Sequence, residues 1–548
     1  MKITISRSKN ATIYYISKSI RLNGKSTTRT VEKLGTEEEV RKRAGGMDPY
    51  EWAKQYAAEL TRREKETGEA IRYSPTRLIR KNAIQTINIS FLFPQDIYYD
   101  LHINEICDMM TERYKLPFNL NAVFSRLIYT RVVYHSSRHG TYELSKRFLD
   151  KPEFEPANID QALHFLGVSP LTFQRELYNR MLNALSLDSS TLFFDCTSYY
   201  FEIGENGFNR KEEKQQERTA APIVQLGLFT DANGLPLSFD MLRDTETDPP
   251  SLTGLEQDIL SSLNPDRIII CSEHGLTQIA EKKFRNIDNV CFVHVETVRR
   301  LSPTLQKFAL DVRGWRTRWR KKLLRLDEID ETKNLHTLFY KETTVTINGQ
   351  KQRMIVTFSP NQREKQRWTR QRQLTRVSDI LEIAAQDPSR QFDYRKRVDE
   401  EERYDGFSVM FTDVDQSAAS IIPVIQRRRE IEENFRTIKR ELKSSTLQLN
   451  GRERLYAHFM ICFVSSIIER IIELKLKDRY TFADISEVLR VMDMLDIPSE
   501  GYIPVYSRTD LTDGLHEAFQ FRTDNQITSG RTIRKLSADT KKINFINL

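Results

Sequence analysis

The five cysteines, at 107, 196, 271, 291 and 462, include no Cys-x-x-Cys pair. A zinc finger or ribbon needs ligands paired at short spacing, so that class is disfavoured. An odd, scattered count also makes a poor disulfide framework and suits a reducing cytosol. No run reaches the ~18 consecutive apolar residues of a membrane-spanning helix. The longest candidate, FMICFVSSII at 459–468, is bracketed by His458, Glu469 and Arg470 and reads as a buried helix, so no membrane partner is expected. No apolar run follows Lys2, so no secretory leader is expected and the expected location is the cytoplasm. Internal repeats and low-complexity segments are also lacking.

Charge is plentiful. There are 84 Lys and Arg against 76 Asp and Glu, a formal net charge of +8. That excess permits nucleic-acid binding without requiring it. The length of 548 residues, at ~150 per domain, suggests three or four domains. Residues 1–80 alternate in strand-like pieces around Asn23-Gly24, followed by a charged helix from Asp48-Pro49, which predicts a small β-sheet plus helix. Residues 81–187 are mostly helical, with loops near Pro117, Pro152 and Pro170; this region is either DNA-binding or scaffold. TLFFD (191–195) and DRIIICSE (266–273) read as buried strands ending in acids. Between them, APIVQLGLFT-DANG-LPLSFDML predicts a hairpin in which Asn233-Gly234 supplies the positive φ angles. Basic helices and then strands fill 301–420, and the tail from 481 to 548 looks helical.

The stretch QRRREIEENFRTIKREL (426–442) places Arg428, Glu432, Arg436 and Lys439 on one helical face and Ile431, Phe435, Ile438 and Leu442 on the other. Asp195, Glu273 and Glu432 are therefore three acids on two strands and a helix. Taken singly, each has an ordinary reading: Asp195 caps a turn at CTSYY, Glu273 (like Asp266) is a loop acid, and Glu432 is a salt-bridge partner on a solvated face. Taken together they suit a pair of Mg²⁺ ions, which prefer carboxylate oxygens and complete their shells with water and phosphate. Two such ions activate a water or hydroxyl and stabilise the leaving oxygen of a phosphodiester. The neighbouring cations would hold DNA phosphates.

The order and spacing of FFDCTSYYFE, GLFTDANGLPLSFDML, IIICSEHGL, RRREIEENFRTIKREL and AHFMICFVSSIIERIIE resemble bacterial insertion-sequence transposases of the DDE type, in the subgroup with a Tyr-Arg-Glu-Lys signature. SKNATIYYISKSIRLNGKSTTRTVEKLGT and DPYEWAKQYAAEL extend the resemblance to the N-terminus. It implies a multi-domain α/β chain: an RNase H-like catalytic core at 188–300 and 421–480, interrupted by a β-rich insertion domain at 301–420. A small β-sheet with helix (1–80) and a helical region (81–187) would precede the core, and a helical region (481–548) would follow it. It further implies that Asp195, Glu273 and Glu432 bind two Mg²⁺ ions, with Mn²⁺ as a substitute. Arg428 and Lys439, with Arg436 between them, would contact DNA. The DNA partners would be terminal inverted repeats and target DNA. The implied assembly is a homodimer on DNA, located at the bacterial nucleoid.

This sequence departs from the pattern at three points. Glu273 stands where the family usually has Asp, Ile425 where the signature has Tyr, and Asp244 where a Gly is expected. Glu is one methylene longer than Asp, and Mg²⁺ holds its ~2.0–2.1 Å octahedral bonds closely. The alternative is therefore a relative that binds DNA without cutting it. The Arg-rich stretches at 312–326 and 363–376, with Trp315, Trp319 and Trp368 interleaved, are candidates for DNA contact or for solvated helix faces.

Overall fold

The computed structural model describes residues 1–7, 12–22, 25–67, 76, 78, 81, 84–136, 138–199, 224–242, 252–273, 283–284, 287–317, 320–335, 337–347, 349–368, 370–371, 401–422, 451–497 and 500–543. The chain divides into two units, Met1–Ala83 and Ile84–Leu548.

In the first unit, β1 (Lys2–Arg7), β2 (Thr12–Leu22) and β3 (Lys25–Thr36) form an antiparallel sheet. Helices α1 (Glu37–Ala44) and α2 (Pro49–Thr67) follow. Thr36 starts α1 with a reciprocal capping box: its hydroxyl accepts from Glu39 N–H, and the Glu39 carboxylate accepts from Thr36 N–H. Asp48 Oδ1 accepts from the N–H groups of Tyr50 and Glu51, and Pro49 opens α2, where a missing N–H costs nothing. Tyr14, Ile16, Leu34, Val40, Ala53 and Ala57 make this unit's own small core.

The second unit begins with β4 (Thr86–Asn88) and six helices: α3 (Leu92–Asp100), α4 (Ile103–Arg113), α5 (Leu120–Tyr134), α6 (Arg138–Ser145), α7 (Pro156–Val168) and α8 (Pro170–Ala184). A ten-stranded sheet follows. Its members are β5 (Thr191–Tyr199), β6 (Val224–Thr230), β7 (Pro236–Leu242), β8 (Arg267–Glu273), β9 (Val290–Glu296), β10 (Trp315–Thr317), β11 (Arg320–Leu324), β12 (Phe339–Ile347), β13 (Gln350–Phe358) and β14 (Phe407–Thr412). Helix α9 (Gly254–Leu263) lies between β7 and β8 in the chain, and α10 (Pro303–Leu310) between β9 and β10. The strand order is β11-β10-β12-β13-β14-β9-β8-β5-β6-β7. Strands β5, β8 and β9 run parallel and every other pair is antiparallel. The strands of the 301–420 segment thus extend the same sheet through the β14–β9 pairing.

Helix α11 (Gly451–Lys475) is buried on every side from Ala457 to Glu473 and is enclosed by α3, α5, α7, α8 and β7. Its stretch Leu455–Lys475 is long and apolar enough to cross a membrane, but 94% of it is buried inside the protein. Phe459 and Phe463 pack on Phe239 of β7, at ring separations of 6.3 and 5.3 Å. Against α7 the backbones approach closely at Gly167, where a Cβ would collide with the Glu453 carbonyl oxygen. The unit ends with α12 (Phe482–Val491), β15 (Asp493–Ile497), β16 (Gly501–Pro504), α13 (Asp510–Ala518) and α14 (Gly530–Asp539). Strand β15 pairs with both β16 and β4, so the expected helical tail also supplies two strands of a small three-stranded sheet completed by β4.

Candidate active site

The hairpin that precedes the second acid forms as the Asp-Ala-Asn-Gly turn predicts, with one correction. Only Gly234 adopts a positive φ, at 75°; Asn233 does not. The turn is held instead by Asp231. Its Oδ1 accepts from Leu235 N–H at 2.8 Å and its Oδ2 from Asp188 N–H at 3.2 Å. Burial raises the Asp231 carboxyl to about 6, against those hydrogen bonds.

Strand β5 also differs from expectation. It does not stop at Asp195 but continues to Tyr199, because Thr197, Ser198 and Tyr199 pair with Leu226, Gln225 and Val224 of β6. The parallel ladder with β8 is shorter. It runs from Thr191↔Arg267 to Cys196↔Ser272, with Asp195 opposite Cys271. Asp195 is therefore one residue from the end of the parallel ladder, although it is in mid-strand. Glu273 is the last residue of β8, two positions past Cys271, and pairs in register with Val295 of β9. In open sheets, ligand crevices form at the carboxyl ends of parallel strands. Both acids belong to that end.

The two faces of β5 are both covered. Leu192 and Phe194 join the large helical core, while Phe193 joins a smaller cluster with Ile269, Cys271, Val293, Ala418, Ile421 and Ile422. By strand alternation Asp195 faces the side of Phe193. It is 7% exposed. Beneath the opposite face, Lys283 Nζ sits 5.1 Å from the Phe194 ring centroid and 2.8 Å from Glu256 Oε1, in a fully buried ion pair. Desolvation raises the Glu256 pKa even with that partner. Neither residue stands out in sequence, although Thr253-x-x-Glu256 is a legible capping box.

The helix-face candidates Arg428, Glu432, Arg436 and Lys439, with Ile425, lie in 423–450, outside the described residues. Asp244 and Trp319 also lie outside the described residues. The chain does enter that segment from a defined place. Ile421 and Ile422, its last described residues, pack on the same side of β5 and β8 as Phe193 and Cys271.

The other nominated DNA contacts separate. Trp315 is a core residue, not a stacking platform: it is fully buried and packs on Phe358 and Phe407 at 6.3 and 5.9 Å. Lys341 Nζ lies 4.5 Å from its ring centroid, and burial lowers that lysine to about 8. Trp368 is 58% exposed. Its neighbours Arg363, Arg367 and Arg370 pair with Glu331, Glu402 and Asp405, so much of that basic run is neutralised within the protein. In the 81–187 region, α5 is buried on all sides from Val123 to Val133 and cannot enter a DNA groove.

No family model matches the chain, and no curated protein matches it in sequence. Among solved structures the chain is similar to the piggyBac transposase in its synaptic complex with hairpin DNA. The identity is 8%, the match covers 83% of this chain and 85% of that one, and the TM-score of 0.30 is too low for the likeness to bear on fold or activity.

Proposed function

We propose that the protein is a DNA transposase that cuts the ends of its own element and joins them to target DNA through a divalent-metal centre. One observation carries this reading: β5 and β8 are adjacent and parallel, and their acids Asp195 and Glu273 both fall at the carboxyl end of the ladder. The apolar anchor Ile421–Ile422, on the same side, leads ten residues later to Glu432. The reading includes an RNase H-like core, in keeping with a central sheet flanked by helices.

The donor set Asp195, Glu273 and Glu432 is all carboxylate, which fits Mg²⁺ or Mn²⁺. When bound, two such ions supply an activated water or 3′-hydroxyl and charge compensation at the scissile phosphate. The chain's own contribution is positioning. A buried, doubly paired strand fixes Asp195, so little reorganisation accompanies binding. Arg428, Arg436 and Lys439 would hold backbone phosphates, and DNA affinity would fall steeply with salt. The assembly on DNA would be a homodimer.

The test is cleavage of element-end DNA with Mg²⁺ or Mn²⁺. Asp195→Ala and Glu432→Ala each abolish cleavage while DNA binding persists. If both variants cut as well as the parent, the reading fails. A second reading, a DNA binder without catalysis, is favoured by Glu273, Ile425 and Asp244. Glu273→Asp separates the two: loss of cutting marks a site adapted to Glu, gain marks an impaired one, and inactivity of both proteins supports pure binding.

A further inference from the structure

The C-terminal segment carries a separate set of ligand-type side chains. Asp513 and His516 lie three residues apart on α13, and Asp524 follows the turn after that helix. One donor atom from each lies within 4.8 Å of the others. His516 is 2% exposed and is wedged between Phe93 and Phe521, at ring separations of 6.0 and 6.5 Å. Its Nδ1 is buried without a hydrogen-bond partner. That atom is 3.7 Å from Asp524 Oδ2, so it points into the cluster. The other ring nitrogen, Nε2, is 3.0 Å from Thr523 Oγ1, which is itself 2.8 Å from the Tyr506 hydroxyl. Metal-binding imidazoles are oriented by such a contact at the second nitrogen. Thr523 N–H also donates to Nε2, at 3.4 Å, so a metal at Nδ1 would displace a proton from that nitrogen.

Two arginines share the carboxylates. Arg522 Nη2 bridges Asp513 Oδ1 and Asp524 Oδ2 at 2.5 and 2.6 Å, and its Nε is 2.9 Å from Asp524 Oδ1. Arg508 Nε is 2.8 Å from Asp513 Oδ1 and 3.5 Å from Asp524 Oδ2. Arg508 is 63% exposed and is the weakly held partner, whereas Arg522 grips the buried side chain of Asp524 with two parallel bonds and is the stronger competitor for the acids. An arginine–carboxylate network alone accounts for the acids. It does not account for a desolvated imidazole nitrogen aimed at them.

We propose that Asp513, His516 and Asp524 form a binding site for a divalent transition ion of the zinc class, with one nitrogen and two oxygen ligands and water in the fourth position. The imidazole selects against Mg²⁺ and Ca²⁺. Arg522 is the competing counter-ion that the metal displaces, and the bound ion ties α13 to the turn behind it.

The experiment counts zinc on the chelator-stripped full chain and follows Co²⁺ by its visible d–d absorption. It uses an Asp195→Asn, Glu432→Gln background so that the proposed catalytic acids do not contribute. The expected result is one zinc per chain with a tetrahedral Co²⁺ spectrum, lost in His516→Gln. Arg522→Gln should bind zinc more tightly, because its competitor is gone; a purely structural ion network predicts no such gain. Should His516→Gln not fold, Asp524→Asn serves in its place. Equal zinc content in the parent and the ligand variants overturns the proposal, as does unchanged affinity in Arg522→Gln.

Discussion

Two regions of the ten-stranded sheet obey different rules. In β5 and β8 successive residues are buried on both faces: Leu192, Phe194, Ile268 and Ile270 on one side, Phe193, Ile269 and Cys271 on the other. In β12 burial alternates, and Glu342, Thr344 and Thr346 are exposed. A charged residue at an exposed position of β12, such as Glu342, meets water and carries no message. A carboxylate on β5 has no such outlet and must be compensated inside the protein. Asp195 therefore weighs far more as a functional signal than Glu342, though both are acids in strands.

Three measurements test that contrast. Phe194 contacts Phe229, Phe284 and Lys283, and Phe194→Ala should destabilise by about 3–5 kcal/mol in urea unfolding. A loss below about 1 kcal/mol would mean that the two-sided burial of β5 is not felt. Next is the turn at Asp231. Its pKa is raised in the fold, so the folded state holds the proton longer than the unfolded chain does. Its contribution is fully present below the ordinary carboxylate pKa of 3.8 and is lost as pH rises to about 6. The shift corresponds to about 3 kcal/mol. Asp231→Asn should remove that decline, so the stability difference between parent and variant should change between pH 4 and 6 and be flat above; a difference flat across the whole range would contradict the burial argument. The smallest effect belongs to β12: Thr344→Ala, exposed and opposite Arg353, should shift stability by no more than about 0.5 kcal/mol.

Local chemistry was the legible part. The Asp-Ala-Asn-Gly turn, the Thr36 and Asp48 caps and the apolar run of α11 each follow from neighbouring residues. What the sequence hid is non-local. β5 runs past Asp195 because β6 extends to Val224 and supplies partners, a fact set some 30 residues downstream. The 301–420 strands join the core sheet through β14 and β9, with Asp413 Oδ1 accepting from Phe292 N–H across 121 residues. Trp315 looked like a nucleic-acid contact from its basic neighbours, yet its ring fills the core behind β10. The Lys283–Glu256 pairing had no local signature, although Glu256 itself belongs to a legible capping box. For the site, sequence placed Asp195 and Glu273 on strands; their adjacency came only with the sheet.

The enclosure of α11 also has a kinetic side. Arg131 on α5 reaches Cys462 on α11 across 331 residues of chain. Helices α3 to α8 leave the ribosome long before their central partner exists, so their oily faces wait through the synthesis of the entire sheet. A nascent chain of this design exposes a hydrophobic slot until its last quarter arrives, and that interval is when chaperone capture or aggregation competes with assembly.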